Sequence, residues 1–139
     1  MATRDRGPAP QLTARGAVTK ARIVAEATTL VRERGVAGTS LDAVMTASDT
    51  SRSQLYHYFA DKDALIGEVI KTQFGRIIEA QEPRLREVTS WSGLQRWCDH
   101  LVAMTRTTQG IGGCPLGSLV SELADRSDSA RLELARSFA

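Results

Sequence analysis

Ser51, Arg52, Ser53, Gln54, Tyr56 and His57 crowd hydrogen-bonding and aromatic groups into the span Ser51 to His57. Arginine can grip a guanine edge or a phosphate with paired donors, and a glutamine amide matches an adenine edge. Tyr56 and His57 can reach a sugar–phosphate backbone or a thymine methyl. Leu55 and Phe59 lie four residues apart, so on a helix they share one apolar face. A short rod, polar on one side and apolar on the other, is what a helix seated in a DNA major groove requires.

The flanking residues read as the frame for that rod. Thr39 or Ser40 caps a preceding helix, with Leu41, Val44 and Met45 on its inner face. Asp42, three residues after Thr39, suggests a shortened capping box. Ser48-Asp49-Thr50 makes the turn, Ser51 caps the rod, and Asp61 caps the next helix. Thr39, Ser40 and Ser51 stand at helix N-termini, where free N–H groups favour a phosphate, and Lys62 adds a further positive charge. Each cap also has a plain structural role, His57 also reads as a solvated imidazole, and Tyr58 reads as a packing residue with a wet hydroxyl.

The rest of the chain shows helical periods throughout. Residues 1–18 are rich in Gly, Pro, Ala and Arg and read as a disordered basic arm. Thr19 then caps a helix with Ile23, Ala27, Leu30 and Val31 in one stripe, closed by Gly35. After Asp61, the positions Leu65, Ile66, Val69, Ile70, Phe74, Ile77 and Ile78 form a stripe broad enough to face two neighbours, weakening near Pro83. Ser90 or Ser92 opens a helix bearing Leu94, Trp97, Cys98, Leu101, Val102 and Thr105. Gly110–Gly113 breaks it, Pro115 starts another, and Ser127 caps a last one. The fold class is all-α: a three-helix unit joined through a long fourth helix to a helical domain.

Composition narrows the function. Of 139 residues, 42% are hydrophobic and 24% charged, with a net charge of +2, as in an ordinary globular protein. The positive charge concentrates in residues 1–20, which carry Arg4, Arg6, Arg15 and Lys20 against Asp5. No apolar run reaches membrane-spanning length, and no apolar leader precedes the polar N-terminus, so the expected compartment is the cytoplasm. Cys98 and Cys114 read as reduced, partly buried thiols, and with His57 and His100 they give no zinc-ligand spacing. Cys98 and His100 fall on different helix faces with no acid or oxyanion motif, so no catalytic residues and no enzyme are expected. Pro115 stands where the last glycine of a dinucleotide fingerprint would fall after Gly110 and Gly112, and no cofactor is expected.

TSLDAVMTASDTSRSQLYHYFADKDAL (Thr39–Leu65) resembles the N-terminal signature of the TetR family of bacterial transcriptional regulators. The resemblance runs through Thr39, Ser40 and Leu41, then Ser51, then Leu55-Tyr56-His57-Tyr58-Phe59, then Lys62 and Leu65, and extends over Thr19 to Ile78. It implies a helix-turn-helix domain over 19–65, a helical regulatory domain over 66–139, and a homodimer on a palindromic double-stranded DNA operator. It further implies repression relieved by a small-molecule effector, with no membrane partner. Gly112–Asp125 is similar to a segment of one branch of the family. The resemblance also implies an effector pocket among Trp97, Leu101, Met104, Cys114, Leu116 and Leu119, with Trp91 and Cys98 beside them; helical spacing alone reads these as core. Asp49 stands where the family often has Gly, Thr50 replaces an apolar plug, Ser53 a frequent Gly, and Tyr58 a frequent His. Relative to that pattern the sequence stops before the last helices. The alternative is therefore a shortened helical interaction module that pairs with a full-length relative or has lost DNA binding.

Overall fold

A computed structural model of the chain describes residues 12–111, 113–124 and 126–138. Among them all regular structure is helical: α1 (Ala14–Arg34), α2 (Leu41–Ser48), α3 (Arg52–Tyr58), α4 (Lys62–Arg86), α5 (Trp91–Thr107), α6 (Pro115–Leu123) and α7 (Asp128–Phe138).

The helix starts are built by local capping. Thr13 accepts from the Gly16 amide, Ser40 from Ala43, Asp61 from Ala64, Ser90 from Gly93 and Ser127 from Ala130. Each side chain replaces a partner that the first turn of a helix lacks. Thr13 corrects the expected start at Thr19: Ala14–Val18 are helical rather than part of an arm, and Thr19 hydrogen-bonds back to the Arg15 carbonyl inside α1. The remainder of the expected arm, residues 1–11, lies outside the described residues. Pro83 is also carried inside α4, which continues to Arg86. A proline removes one i→i−4 bond, here to Glu79, and Glu79 is solvent-exposed, so the freed carbonyl is not stranded in the core.

Two apolar clusters share α4. The first joins Ile23, Val24, Ala27 and Leu30 of α1 to Val44 of α2, Leu55 of α3, Phe59, and Leu65 and Val69 of α4. The second joins Val31, Val36, Ile66, Ile70 and Phe74 to Leu119 and Leu123 of α6 and Ala130 and Leu134 of α7. The α4 stripe therefore splits into two faces, and α4 packs most extensively on α7 and α1. Phe74 and Phe138 meet edge-on at 4.7 Å.

α5 stands apart from this packing. None of its residues belongs to either cluster, and Trp91 is 79% exposed. The Trp97 indole N–H donates to the Gln81 Oε1 of α4 at 3.0 Å. Cys98 and Cys114 are free and exposed rather than partly buried, with the Cys114 sulfur accepting the Gly117 amide at the start of α6.

On the α1–α4 flank, Lys20 Nζ lies 3.2 Å from Glu68 and 5.8 Å above the Phe59 ring. Partial burial works against the charge of Glu68. The hydrogen bonds and charges of Lys20 and then Lys71 outweigh that burial and hold its carboxyl below the ordinary glutamate value. Among the described residues no helix is long and apolar enough to cross a membrane.

Candidate nucleic-acid interface

A seven-residue helix cannot hold itself in water, because nucleation costs more than so few bonds return. α3 is held at its N-terminus and from behind. The Ser51 hydroxyl accepts the Gln54 amide at 3.2 Å while Gln54 Oε1 accepts the Ser51 amide at 2.8 Å, a closed capping box. Behind it, Leu55 is 0% and Phe59 2% exposed in the first cluster. Burying two such side chains contributes roughly 3–6 kcal/mol, several times what the box supplies.

The turn that aims α3 is polar. Asp49 adopts the left-handed conformation, φ 49° and ψ 54°, and its N–H reaches the carbonyls of Met45 and Thr46. The Ser48 hydroxyl is buried, donates to the Val44 carbonyl at 2.7 Å, and lies 2.8 Å from the Thr50 hydroxyl. Thr50 thus closes the elbow by hydrogen bonding where an apolar plug would close it by packing.

With α3 fixed, Ser51, Arg52, Ser53, Gln54, Tyr56 and His57 all face solvent on one surface, and Ser40 lies exposed at the start of α2. Tyr56 is 45% exposed, while Tyr58 is half-buried against the first cluster. The His57 ring meets Tyr58 edge-on at 4.9 Å. Arg52 Nη2 lies 3.4 Å from Asp42 Oδ1, so Asp42 faces α3 instead of closing a capping box in α2. Both groups are exposed, and such a pair holds Arg52 only weakly.

Residues 23–69 match the family model described as "Bacterial regulatory proteins, tetR family". That match runs from Ile23 of α1 through α2 and α3 to Val69 of α4, and over it the chain is similar to the TetR family. It is 28% identical over 116 residues to the HTH-type transcriptional repressor DhaR of Mycobacterium sp. (strain GP1), a match covering 84% of this chain and 58% of DhaR. It is 25% identical over 124 residues to the uncharacterized HTH-type transcriptional regulator in the lacX 3′ region of Lactococcus lactis subsp. lactis, covering 86% of this chain and 62% of that protein. The crystal structure of E. coli NemR in its reduced form shares the fold, with a TM-score of 0.70 at 20% identity over 86% of this chain and 63% of NemR. The chain thus spans about three fifths of the length of these relatives.

In this helical frame two expected phosphate contacts are used differently. Thr39 is 3% exposed and donates its hydroxyl to the Gly35 carbonyl at 2.8 Å, leaving Ser40 as the cap of α2. Lys62 is half-buried and its ammonium donates to the Val36 carbonyl at 2.6 Å. Both side chains brace the α1–α2 turn, Thr39 from within it and Lys62 across a separation of 26 residues that carries no local signal.

The six pocket candidates are not gathered into one site. Leu119 is buried in the second cluster with Leu116 packed against it, because α6 lies on α4 and α7. Trp97 lines a hollow at the α4–α5 junction together with Arg84, Glu87, Gly93 and Arg96. Leu101 lines an open groove along α5 with Val102 and Thr105, while Met104 and Cys114 are exposed. Among the described residues no three His, Cys, Asp or Glu side chains converge as metal ligands. Two residues that the sequence did not assign to the interface enter the frame: Asp42, expected only to close a capping box and found opposite Arg52, and Glu122 of α6, which accepts the Val36 amide at 2.7 Å. Nothing in the spacing of residues 36 and 122 could have paired them.

Proposed function

We propose that this chain is a DNA-binding transcriptional regulator, a repressor in its simplest form, with α3 reading the major groove. The exposed face of α3, held by Leu55 and Phe59, carries the proposal. In it, Arg52, Ser53, Gln54, Tyr56 and His57 meet base edges and adjacent backbone, while Ser40 and Ser51 meet phosphates. Because Gln54 Oε1 already accepts the Ser51 amide, its amide N–H₂ is the group left for a base acceptor. Residues 19–65 form the reading unit and 66–139 the regulatory part. Two copies on a palindromic operator would place their α3 helices about one DNA turn, ~34 Å, apart. A small effector acting through the later helices would shift the population between DNA-competent and incompetent spacings. A DNA-bound regulator works in the cytoplasm.

The test is fluorescence anisotropy against duplexes drawn from the DNA flanking the gene, with and without an inverted repeat, over a salt series. Preference for the repeat with a steep salt dependence is expected. Arg52→Ala should weaken specific binding by ~1–3 kcal/mol if Arg52 holds a guanine. Equal weakening on every duplex would make it a backbone contact, and no binding to any duplex would refute the proposal. The exposed apolar side chains of α5, Trp91, Val102 and Met104, favour a second reading, a module that pairs with a longer relative. Light scattering distinguishes them: a homodimer of this chain supports the first, and a monomer that dimerises only with the relative supports the second.

A further inference from the structure

We propose that Glu122 of α6 is a positioning residue that latches the regulatory half directly onto the turn aiming the DNA-reading helices. Its Oε2 lies 2.7 Å from the Val36 amide and 3.5 Å from the Ala37 amide, both in the α1–α2 turn. Among the described residues it makes no ion pair, so its acceptor capacity goes to this backbone through charge-assisted hydrogen bonds. Lys62 of α4 takes the Val36 carbonyl at 2.6 Å. Both backbone polar groups of Val36 are therefore held by side chains from other helices, 86 and 26 residues away.

The backbone around the carboxylate is shaped to admit it. Gly35 has φ 72°, and a β-carbon there would fall 2.9 Å from Glu122 Oε2. Leu119 and Leu123 flank Glu122 and are buried in the same cluster as Val36, so α6 is seated on the turn by packing as well as by the latch. A cavity of about 140 Å³ beside the latch, lined by Gly35, Gln73, Ser118 and Glu122 among others, leaves α6 room to shift. A shift that withdraws the carboxylate strands the Val36 amide in a part-buried site. Displacement of α6 is thus resisted at, and transmitted to, the turn that sets α2 and, through the Ser48–Thr50 elbow, α3. The consequence for DNA rests on the function proposed above; the latch itself does not.

The experiment is amide hydrogen exchange by NMR on the full chain, comparing wild type, Glu122→Ala and Glu122→Gln. In Glu122→Ala the Val36 amide should exchange roughly tenfold faster or more, with Val69 on α4 unchanged. Glu122→Gln keeps a carbonyl oxygen and should retain most of the protection. Unchanged exchange at Val36, or equal acceleration at Val36 and Val69, would overturn the latch. On an operator bound by wild type, Glu122→Ala should weaken specific binding by about tenfold and Glu122→Gln should restore it. Lost protection without any change in DNA affinity would overturn the positioning role. Absence of DNA binding by wild type would sink the proposed function and leave the exchange result standing.

Discussion

Asp49 offers the cleanest test of the turn between α2 and α3. It sits in the left-handed region, which costs an ordinary L-residue roughly 1–2 kcal/mol and glycine almost nothing. Glycine returns about 0.4–1 kcal/mol of that advantage through the extra freedom of the unfolded chain. Asp and Asn tolerate the region better than Ala. The expected order of stability is therefore Gly at least equal to Asn, Asn close to wild-type Asp, and Ala lowest. Glycine should exceed alanine by about 1 kcal/mol, which in a chain of 139 residues is about 3–4 °C in Tm. Thermal unfolding followed by circular dichroism reads this directly. Asp49→Asn separates charge from conformation, since it removes the charge while keeping the conformational tolerance. If Asp49→Ala matches or exceeds Asp49→Gly, backbone strain at this position is not what the turn is managing. Should Asn, Gly and Ala all shift Tm equally from wild type, the carboxylate charge is responsible.

Leu55→Ala should lower unfolding stability by about 2–5 kcal/mol, seen in the denaturant midpoint, because its side chain is fully buried behind α3. An unchanged midpoint would mean that the site collapses without cost. Lys62→Met keeps the stem but removes the donor to the Val36 carbonyl, so stability should fall by roughly 1–3 kcal/mol while the salt dependence of DNA binding stays the same. A salt slope lower by about 1 would instead mark Lys62 as a phosphate contact. Glu68 is held below its ordinary value when folded, so its contribution is present above the unfolded glutamate pKa of about 4.3 and is lost as pH falls through the lower folded value. Denaturation of wild type and Glu68→Gln across that window should converge on acidification. A gap that widens as pH falls would reverse the assignment.

What the sequence disclosed was what a few adjacent residues decide. The stripe Ile23, Ala27, Leu30, Val31 and the caps Ser51, Asp61 and Ser127 depend on neighbours within about a turn, and the structure has them in those roles. The left-handed Asp49 is local in the same sense. The start of α1 escaped because its first turn, after Thr13, faces water and shows no apolar period to read. Pro83 reads as the place where α4 weakens, yet the carbonyl it frees belongs to an exposed residue, so the helix runs on to Arg86. Lys62 and Glu122 converge on the α1–α2 turn from distant positions, and a periodic pattern cannot say which backbone atom a long side chain will find. The scattered pocket candidates teach the same point: spacing shows that Trp97, Leu101 and Met104 share a helix, but not what lies opposite them.

The part-buried hydroxyl pair of Ser48 and Thr50 gives the bend before α3 a character that methyl groups would not. Packed methyls resist through many small contacts with no preferred direction, whereas two oxygens 2.8 Å apart have a favoured length and direction. Rotation of α3 about that bend must stretch or misalign the link as well as disturb the apolar contacts behind Leu55. The reading head should consequently behave as a sprung part with one resting angle, returning to it after each excursion, rather than as a loosely greased joint.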